Sequence, residues 1–168
     1  MSIRFFDYDD VTNSDIIIEG KAFEVLLDLC FRYSKYVSFL TTETDFKKYP
    51  NLNSFLVDEK NMLFEVYNKH LCYSDNASVS FFYCTKECQN VILSISKNLW
   101  AFIHGWGFSN PEDPTFYRYD GSVFFSSQIH EGYGTFYPRK GEDISAFFEA
   151  VDFHTKINTI QIVEDQHR

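Results

Sequence analysis

Glycine is scarce in this sequence and no apolar run is long, and these shortages exclude several classes of protein. The chain has seven glycines among 168 residues, and none lies in a G-x-x-x-x-G-K-[ST], G-x-G-x-x-G or G-x-S-x-G pattern. That argues against a phosphate-cradling loop and against a nucleophile elbow. No run approaches the roughly 20 apolar residues that cross a bilayer, and the charged start MSIRFFDYDD lacks the apolar segment of a signal peptide. We therefore predict a cytoplasmic protein that is not an enzyme.

Basic side chains are also in short supply. The 15 Lys and Arg residues against 24 Asp and Glu residues give a net charge of −9 and a sequence pI near 4.9. An acidic field repels phosphate backbones and anionic lipid headgroups, and the longest basic runs are the pairs Lys47-Lys48 and Arg139-Lys140. Direct binding to nucleic acid or to a membrane is therefore not expected. The acidic balance suits a basic protein partner, and plain solubility explains it equally well.

The cysteines do not form the groups that a metal site requires. Cys30, Cys72, Cys84 and Cys88 lie in apolar or strand-like contexts in a chain without an export signal, so we expect reduced thiols. Cys84 and Cys88 are close together in CTKEC. A structural zinc site needs four ligands, however, and the other Cys and His residues supply no second close pair. We predict no bound metal and no other cofactor.

Aromatic residues are plentiful, and they are concentrated between Thr115 and Gly141, in TFYRYDGSVFFSSQIHEGYGTFYPRKG. Asp120-Gly121 is a strong hairpin signal, and residues 128–132 form a second candidate turn. The aromatic and β-branched runs on either side favour pleated strands, and Pro138 stops the last of them. This stretch therefore predicts three antiparallel strands joined by two tight turns.

Helical periodicity is found on both sides of the aromatic stretch. Apolar residues at helical spacing predict a helix directly after Gly20, and residues 37–40 either extend it or begin a strand. Thr85 resembles the N-cap of a second helix. Asp143 is a candidate cap for a third helix, over residues 144–151.

The remaining segments complete an α+β assignment. Residues 54–70 fit either a helix or a hairpin, and we favour the helix. Strands are expected at residues 3–8, 16–18, 79–84 and 159–163. We therefore predict a single α+β domain over residues 1–168, with an antiparallel β-meander of about residues 115–138 packed against two to four helices.

Acidic and aromatic side chains around the meander are the candidate partner-binding residues. We expect residues 109–114 to form an acidic loop and the turns of the meander to carry further acids, so that these charges speed the encounter with a cationic protein. Tyrosines would then anchor the complex. The candidate residues are Glu112, Asp113, Tyr117, Tyr119, Asp120, His130, Glu131 and Tyr133.

His130 and Glu131 place an imidazole beside a carboxylate, which is the pairing used in acid–base chemistry. Adjacent residues of a strand point to opposite faces, and no third group is evident to orient the pair. We therefore favour a solvated turn over a catalytic pair.

Other functions remain open at this stage. One is a small enzyme or ligand-binding domain with a pocket near Trp100, His104, Trp106 and His130, since the glycines beside Trp106 allow a ligand to approach the backbone closely. Another is an adaptor subunit within a larger cytosolic complex. A pocket protein would be sensitive to changes at the two histidines, whereas a docking protein would be sensitive to charge reversal on the acidic loops.

The segment FYRYDGSVFFSSQIHEGYGTFYPRKGEDIS, in a small acidic chain without a catalytic motif, resembles immunity proteins of bacterial contact-dependent inhibition and related polymorphic toxin systems. The resemblance implies tight stoichiometric binding to a cognate toxin domain, often a basic nuclease. It also implies that the complex blocks the active site of the toxin or its access to substrate. It transfers no individual residue.

Overall fold

A seven-stranded, fully antiparallel sheet is the centre of the protein. The structure is a computed structural model. It describes residues 2–6, 8–9, 14–15, 18–58, 78–105, 108–151 and 160–163. The strands are β1 Ser2–Phe6, β2 Tyr8–Asp9, β3 Ser14–Asp15, β4 Tyr36–Thr41, β5 Ser78–Tyr83, β6 His104–Gly105, β7 Phe108–Ser109, β8 Glu112–Tyr117, β9 Val123–Gln128, β10 Tyr133–Phe136 and β11 Ile160–Val163. Across the sheet their order is β11-β1-β10-β9-β8-β4-β5, while β2–β3 and β6–β7 form separate two-stranded ribbons.

Four α-helices lie in the described residues. They are α1 Lys21–Tyr33, α2 Glu43–Lys48, α3 Lys86–Ile95 and α4 Ser145–Ala150. The longest, α1, begins after Gly20 and buries one apolar stripe that includes Phe23, Leu26 and Cys30, as its periodicity predicts. It packs against α3, α4 and β9. The helices therefore cover one face of the sheet with α1 in the middle.

The core between helices and sheet is built mainly from phenylalanine. Phe5, Phe125, Phe136 and Phe147 are all fully buried. The ring centroid of Phe136 lies 4.9 Å from that of Phe125 and 5.1 Å from that of Phe147. Edge and offset contacts of this kind add about 0.5–1.5 kcal/mol each to the burial of the rings. They hold α4 against the centre of the sheet.

A smaller apolar cluster lies on the opposite face. Tyr36, Val57, Phe81 and Tyr117 form it. Because successive strand residues point to opposite faces, Tyr36 belongs to this cluster while its neighbour Val37 belongs to the main core. The centroids of the Phe81 and Tyr117 rings are 5.7 Å apart.

The predicted α+β class and the central meander are confirmed. Strands β8, β9 and β10 pair in sequence order, and the first turn has Gly121 at φ +82°. The second turn is a single 3-10 turn, Ile129–Glu131, closed by Gly132 at φ +65°. Thr85 caps α3 through a 3.2 Å bond from the Cys88 amide to its Oγ1. The strands expected near residues 3–8, 79–84 and 159–163 are present as β1, β5 and β11.

The structure decides one open alternative and corrects several local predictions. Of the two alternatives for residues 37–40, the strand is observed, because these residues belong to β4. Ser54 and Phe55 end a 3-10 turn and Leu56 forms a β-bridge with Phe82, so residues 54–58 are not α-helical; residues 59–70 lie outside the described part of the chain. The residue before α4 is Ile144, although the Asp143 carboxylate still accepts from the Ser145 amide at 2.9 Å. In the predicted strand at 16–18, residue 18 is not in a strand, and 16–17 lie outside the described residues.

The predicted acidic loop at 109–114 is wrong from Glu112 onward, where β8 begins. Leu40 of β4 pairs with Glu112 and Ser38 pairs with Thr115, so the register shifts between them. Asp113 and Pro114 therefore form a bulge, which tolerates a proline because the ladder is interrupted there. Asp113 has φ +52°, and it is the only non-glycine residue with positive φ among those described.

Two further features bear on membrane association and on the state of the cysteines. Within the described ranges no helix is long and apolar enough to cross a membrane. Cys30, Cys84 and Cys88 carry free thiols, while Cys72 lies outside the described residues. Burial raises the pKa of Cys88 to about 12, so this thiol is a poor nucleophile at neutral pH.

Candidate functional site

The strand directions divide the predicted partner-binding residues between opposite ends of the sheet. Glu112 and Tyr133 begin β8 and β10, and the turn that contains His130 and Glu131 follows β9 at the same end. Tyr119 and Asp120 lie in the β8–β9 hairpin at the other end. Six-residue strands are about 17–20 Å long, so the predicted residues lie at both ends of the sheet and do not form one continuous cluster. We call the end of the sheet that holds Glu112 the acidic end. Its residues are Asp45, His104, Glu112, Asp113, His130, Glu131 and Tyr133.

Four side chains of the acidic end are linked in series by short polar contacts. His104 Nε2 lies 2.9 Å from Asp45 Oδ2, and His104 Nδ1 lies 3.1 Å from Glu112 Oε2. The other carboxylate oxygen of Glu112, Oε1, is 2.7 Å from His130 Nε2. The helix α2, the ribbon strand β6, the strand β8 and the 3-10 turn after β9 each contribute one member. Glu112 therefore holds both imidazoles at once.

His104 is positively charged at neutral pH. The hydrogen bond to Asp45 and then that to Glu112 raise its pKa to about 9, against an opposing effect of burial. Both ring nitrogens consequently donate to carboxylates, so neither is left to accept a proton. His104 is thus a partly buried cation that keeps the buried carboxylates of Asp45 and Glu112 ionised.

Asp45 was not among the sequence-predicted residues, although its sequence context contained a signal. Thr42 and Asp45 form a capping box at the start of α2, in which the Thr42 amide donates to Asp45 Oδ2 at 2.7 Å. The pattern T-x-x-D is a recognised sequence mark of such a start. Burial alone would raise the pKa of Asp45, but the hydrogen bonds from His104 and Thr42 lower it. Its second oxygen, Oδ1, is buried and has no hydrogen-bond partner in the described structure.

Glu112 is 7 % exposed, contrary to its expected place on a solvated loop. Burial by itself raises its pKa, whereas the hydrogen bond from His104 and the charge of His130 bring it below its usual value. It is therefore an ionised carboxylate that is shared between two imidazoles. His130 thus pairs with a buried residue 18 positions earlier in the chain, a contact that the sequence analysis did not predict.

Asp113 is 8 % exposed and is turned into the acidic end by the bulge. Its Oδ1 accepts a 2.6 Å hydrogen bond from the Ile129 amide, which anchors the turn that carries His130. Burial is the main reason that its pKa rises from 3.8 to about 6, and the nearby Glu112 charge adds to that rise.

Glu131 and Tyr133 form the outer rim. Glu131 is exposed and the side chain of His130 is 37 % exposed. Burial raises the pKa of the Tyr133 hydroxyl, and the charges of Glu131 and Asp113 raise it further while Arg4 opposes them. The charges of Glu131 and Asp113 therefore both disfavour ionisation of the Tyr133 hydroxyl. The Arg4 guanidinium lies 4.4 Å from the centre of the Tyr133 ring.

The hairpin end, which holds Tyr119 and Asp120, differs from the acidic end in that its carboxylate is paired with an arginine. Tyr119 is 66 % exposed, with Lys35 Nζ 4.2 Å from the centre of its ring. Asp120 Oδ2 pairs with Arg139 Nη2 at 2.8 Å. Bonds to the Ser122 side chain and to Arg139 hold the pKa of Asp120 well below its usual range. The acid at this end is therefore already neutralised by a basic neighbour.

Tyr117 is buried and is therefore not a surface anchor, contrary to the prediction. It is 1 % exposed and its hydroxyl lies 3.4 Å from Ser38 Oγ. Because β8 alternates its side chains, Tyr117 packs into the small cluster with Phe81 and does not reach solvent.

The alternative pocket is only partly assembled. The structure joins His104 and His130 through Glu112, whereas Trp100 packs edge-on against Phe5 with centroids 6.4 Å apart. Trp106 lies outside the described residues. Among the residues that are described, no group of three or more His, Cys, Asp and Glu side chains is arranged to hold a metal ion.

No protein-family model, no curated protein and no solved structure matches the chain.

Proposed function

We propose that the protein is a cytoplasmic binding protein that neutralises a cognate toxin domain by forming a stoichiometric complex. The toxin domain is basic and of nuclease type. The protein acts by occupying a surface of the toxin, without catalysis of its own.

The observation that carries this proposal is the excess of negative charge at the acidic end. Four carboxylates, those of Asp45, Glu112, Asp113 and Glu131, are gathered around His104 and His130. In a chain of net charge −9, such a cluster attracts a cationic surface over several ångströms. It raises the rate of encounter with a basic protein.

The same charge explains how binding would inhibit. A nuclease must present cationic side chains to the phosphates of its substrate. The exposed Glu131 would meet those cations directly, while the buried carboxylates of Asp45, Glu112 and Asp113 add to the negative potential that draws them in. The bound protein would then exclude the nucleic acid. The hydrogen-bonded chain from Asp45 to His130 keeps the carboxylates of the acidic end in position.

The test is co-expression with the protein encoded by the adjacent gene, followed by purification and titration calorimetry at low and at physiological salt. We expect a one-to-one complex that weakens as salt rises and that relieves the toxicity of the neighbour. Glu131→Lys should weaken it by about tenfold or more through slower association. Glu149→Lys, which makes the same charge change at an exposed position of α4, is the matched control. A neighbour that is harmless when expressed alone and forms no complex would refute the proposal.

Small-ligand binding or acid–base chemistry at the acidic end is a second candidate function. The specific observation in its favour is that one buried carboxylate, Glu112, holds two imidazoles. A ligand or substrate site of this kind should lose its activity in His130→Ala and be insensitive to Glu131→Lys. The docking function predicts strong sensitivity to Glu131→Lys.

A further inference from the structure

We propose that Asp120, in the turn of the β8–β9 hairpin, is a site of spontaneous isoaspartate formation, and that Arg139 controls the rate of this modification. The inference concerns the hairpin end and does not depend on the proposed function, because the acidic end takes no part in it.

The sequence of the turn supplies the reactive pair. Asp120-Gly121 is the only Asp-Gly pair in the chain, and the chain has no Asn-Gly pair. The amide nitrogen that follows an aspartate attacks its carboxyl group most readily when it belongs to glycine, because glycine has no Cβ atom to obstruct the approach. The side chain of Asp120 is 53 % exposed, so water reaches it.

The modification has two steps, and water is the only co-reactant. In the first step, the amide nitrogen of Gly121 forms a bond with Cγ of the protonated Asp120 carboxyl group. The amide proton and the carboxyl hydroxyl leave as water, and a succinimide ring closes. In the second step, water opens the ring at either carbonyl carbon. One opening restores Asp120, and the other leaves isoaspartate, in which the backbone continues through Cγ.

Contacts of the folded hairpin oppose the first step. Asp120 Oδ1 accepts from the Ser122 amide at 3.1 Å and from the Ser122 hydroxyl at 2.7 Å, and Oδ2 accepts from Arg139 Nη2 at 2.8 Å. The Gly121 amide, which must make the attack, donates instead to the Arg118 carbonyl at 3.0 Å. The donors also keep the pKa of the Asp120 carboxyl well below its usual range, so the protonated form that can lose water is rare at neutral pH.

Arg139 is the donor that depends on the tertiary structure. Ser122 lies within the turn, so its bonds to Asp120 need no other part of the chain. Arg139 lies 17 positions beyond Ser122 and reaches the turn only because β10 returns alongside β9. Its Nη2 also donates to Ser122 Oγ at 2.8 Å. Loss of this guanidinium therefore frees Asp120 Oδ2 and loosens the hydroxyl that holds Oδ1.

The modification would open the hairpin end. Isoaspartate adds one methylene group to the backbone of the turn. Two backbone bonds close this turn, from the Gly121 amide to the Arg118 carbonyl at 3.0 Å and from the Arg118 amide to the Ser122 carbonyl at 2.8 Å. Because the turn conformation depends on loop length, a longer backbone cannot keep both bonds.

The experiment is an ageing assay on the purified protein. The unaltered protein, Arg139→Gln and Lys140→Gln are incubated at neutral pH and physiological temperature. Isoaspartate at position 120 is measured over several weeks by peptide mapping with electron-transfer mass spectrometry. We expect it to form about threefold to fivefold faster in Arg139→Gln, the change that the loss of one exposed ion pair gives. Lys140→Gln makes the same charge change at an exposed neighbour and should leave the rate unchanged.

The same assay in guanidinium chloride separates the reactivity of the turn from its control by the fold. The Arg139 side chain is 52 % exposed, so Arg139→Gln should remain folded, and urea unfolding checks this. In the denaturant all three proteins should react at one common, higher rate, because Arg139 no longer reaches Asp120. Absence of isoaspartate at position 120 even in denaturant would refute the site. Equal rates in the folded unaltered protein and Arg139→Gln, or an equal acceleration in Lys140→Gln, would refute the control by Arg139.

Discussion

His104 Nε2 lies 2.9 Å from Asp45 Oδ2, although 59 positions separate the two residues in the chain. The contact joins the first turn of α2 to the ribbon strand β6, and it makes the charge of one imidazole part of the tertiary structure. The protonation of His104 and the folding of the chain are therefore linked.

Stability should fall as the pH rises from neutral to alkaline. The pKa of His104 is raised from 6.5 to about 9 in the folded protein. Its contribution to the unfolding free energy is therefore fully present below pH 6.5 and is lost as the pH rises through about 9. We expect a loss of about 1–3 kcal/mol across this window, since solvent at the partly exposed ring reduces the full effect. Urea unfolding at several pH values measures it.

The thiols require a control, because buried cysteines also make stability fall near pH 9, where unfolded cysteines ionise. The comparison is therefore made below about pH 8.5 and against His104→Asn, which retains the thiols. A pH dependence that is identical in His104→Asn would show that His104 does not cause it.

Removing either carboxylate should lower the pKa of His104, and Asp45→Asn should lower it more than Glu112→Gln. The reason is that the hydrogen bond to Asp45 is the larger cause of the shift and that to Glu112 the smaller. NMR titration of the His104 ring signals in both variants measures the order. The reverse order would mean that the bond to Glu112 dominates.

Asp113→Asn should stabilise the protein at pH 7. Because burial raises the pKa of Asp113 from 3.8 to about 6, ionisation costs folding free energy, and stability falls as the pH rises between these two values. The neutral amide avoids that cost, and we expect a gain of about 1–3 kcal/mol at pH 7 and none below about pH 4. Urea unfolding at both pH values tests this, and equal stability of the two proteins at pH 7 would contradict it.

The sequence was sufficient for the parts of the fold that local chemistry determines. Asp120-Gly121 turns the central hairpin because glycine accepts the φ of +82° at position 121. Thr85 starts α3 because its side chain accepts from the third amide of the helix. The stripe of α1 follows from its period. In each case the decisive interactions lie within a few residues of one another.

The acidic end was not predictable in this way, because it depends on contacts between distant segments. The bulge at Asp113 and Pro114 exists only because β4 pairs with β8, so a stretch of acids and prolines resembled a loop. Asp45 gains its role from His104, whose position depends on the β6–β7 ribbon. The separation of Tyr119 from Glu131 likewise follows from strand direction, which composition does not contain.

Arg118→Lys should destabilise the hairpin end without changing partner affinity. Arg118 is 6 % exposed, and its guanidinium binds the Glu142 carboxylate through Nε at 2.7 Å and Nη2 at 2.5 Å. Nη2 also donates to the Tyr137 carbonyl at 2.6 Å. Lysine keeps the charge but cannot donate to both carboxylate oxygens from one planar group. We therefore expect the unfolding free energy to fall by about 2–4 kcal/mol. Urea unfolding measures it, and Lys140→Gln on the nearby exposed turn is the control. An unchanged unfolding free energy would mean that the charge alone is sufficient.

Gly134→Ala should destabilise the centre of the sheet, and a smaller residue at position 5 should partly restore it. A Cβ atom at Gly134 would overlap the Phe5 ring and come within 3.1 Å of Phe125 Cε2, in a core that is fully buried. Overpacking of this kind costs about 1–3 kcal/mol. Phe5→Leu alone leaves space and also costs stability, about 1–2 kcal/mol, because buried ring contacts are lost. If the overlap with Phe5 is the cause, the double variant is more stable than the sum of the two losses predicts. Strictly additive losses in urea unfolding would show instead that Gly134 is required for its backbone and not for the space it leaves to Phe5.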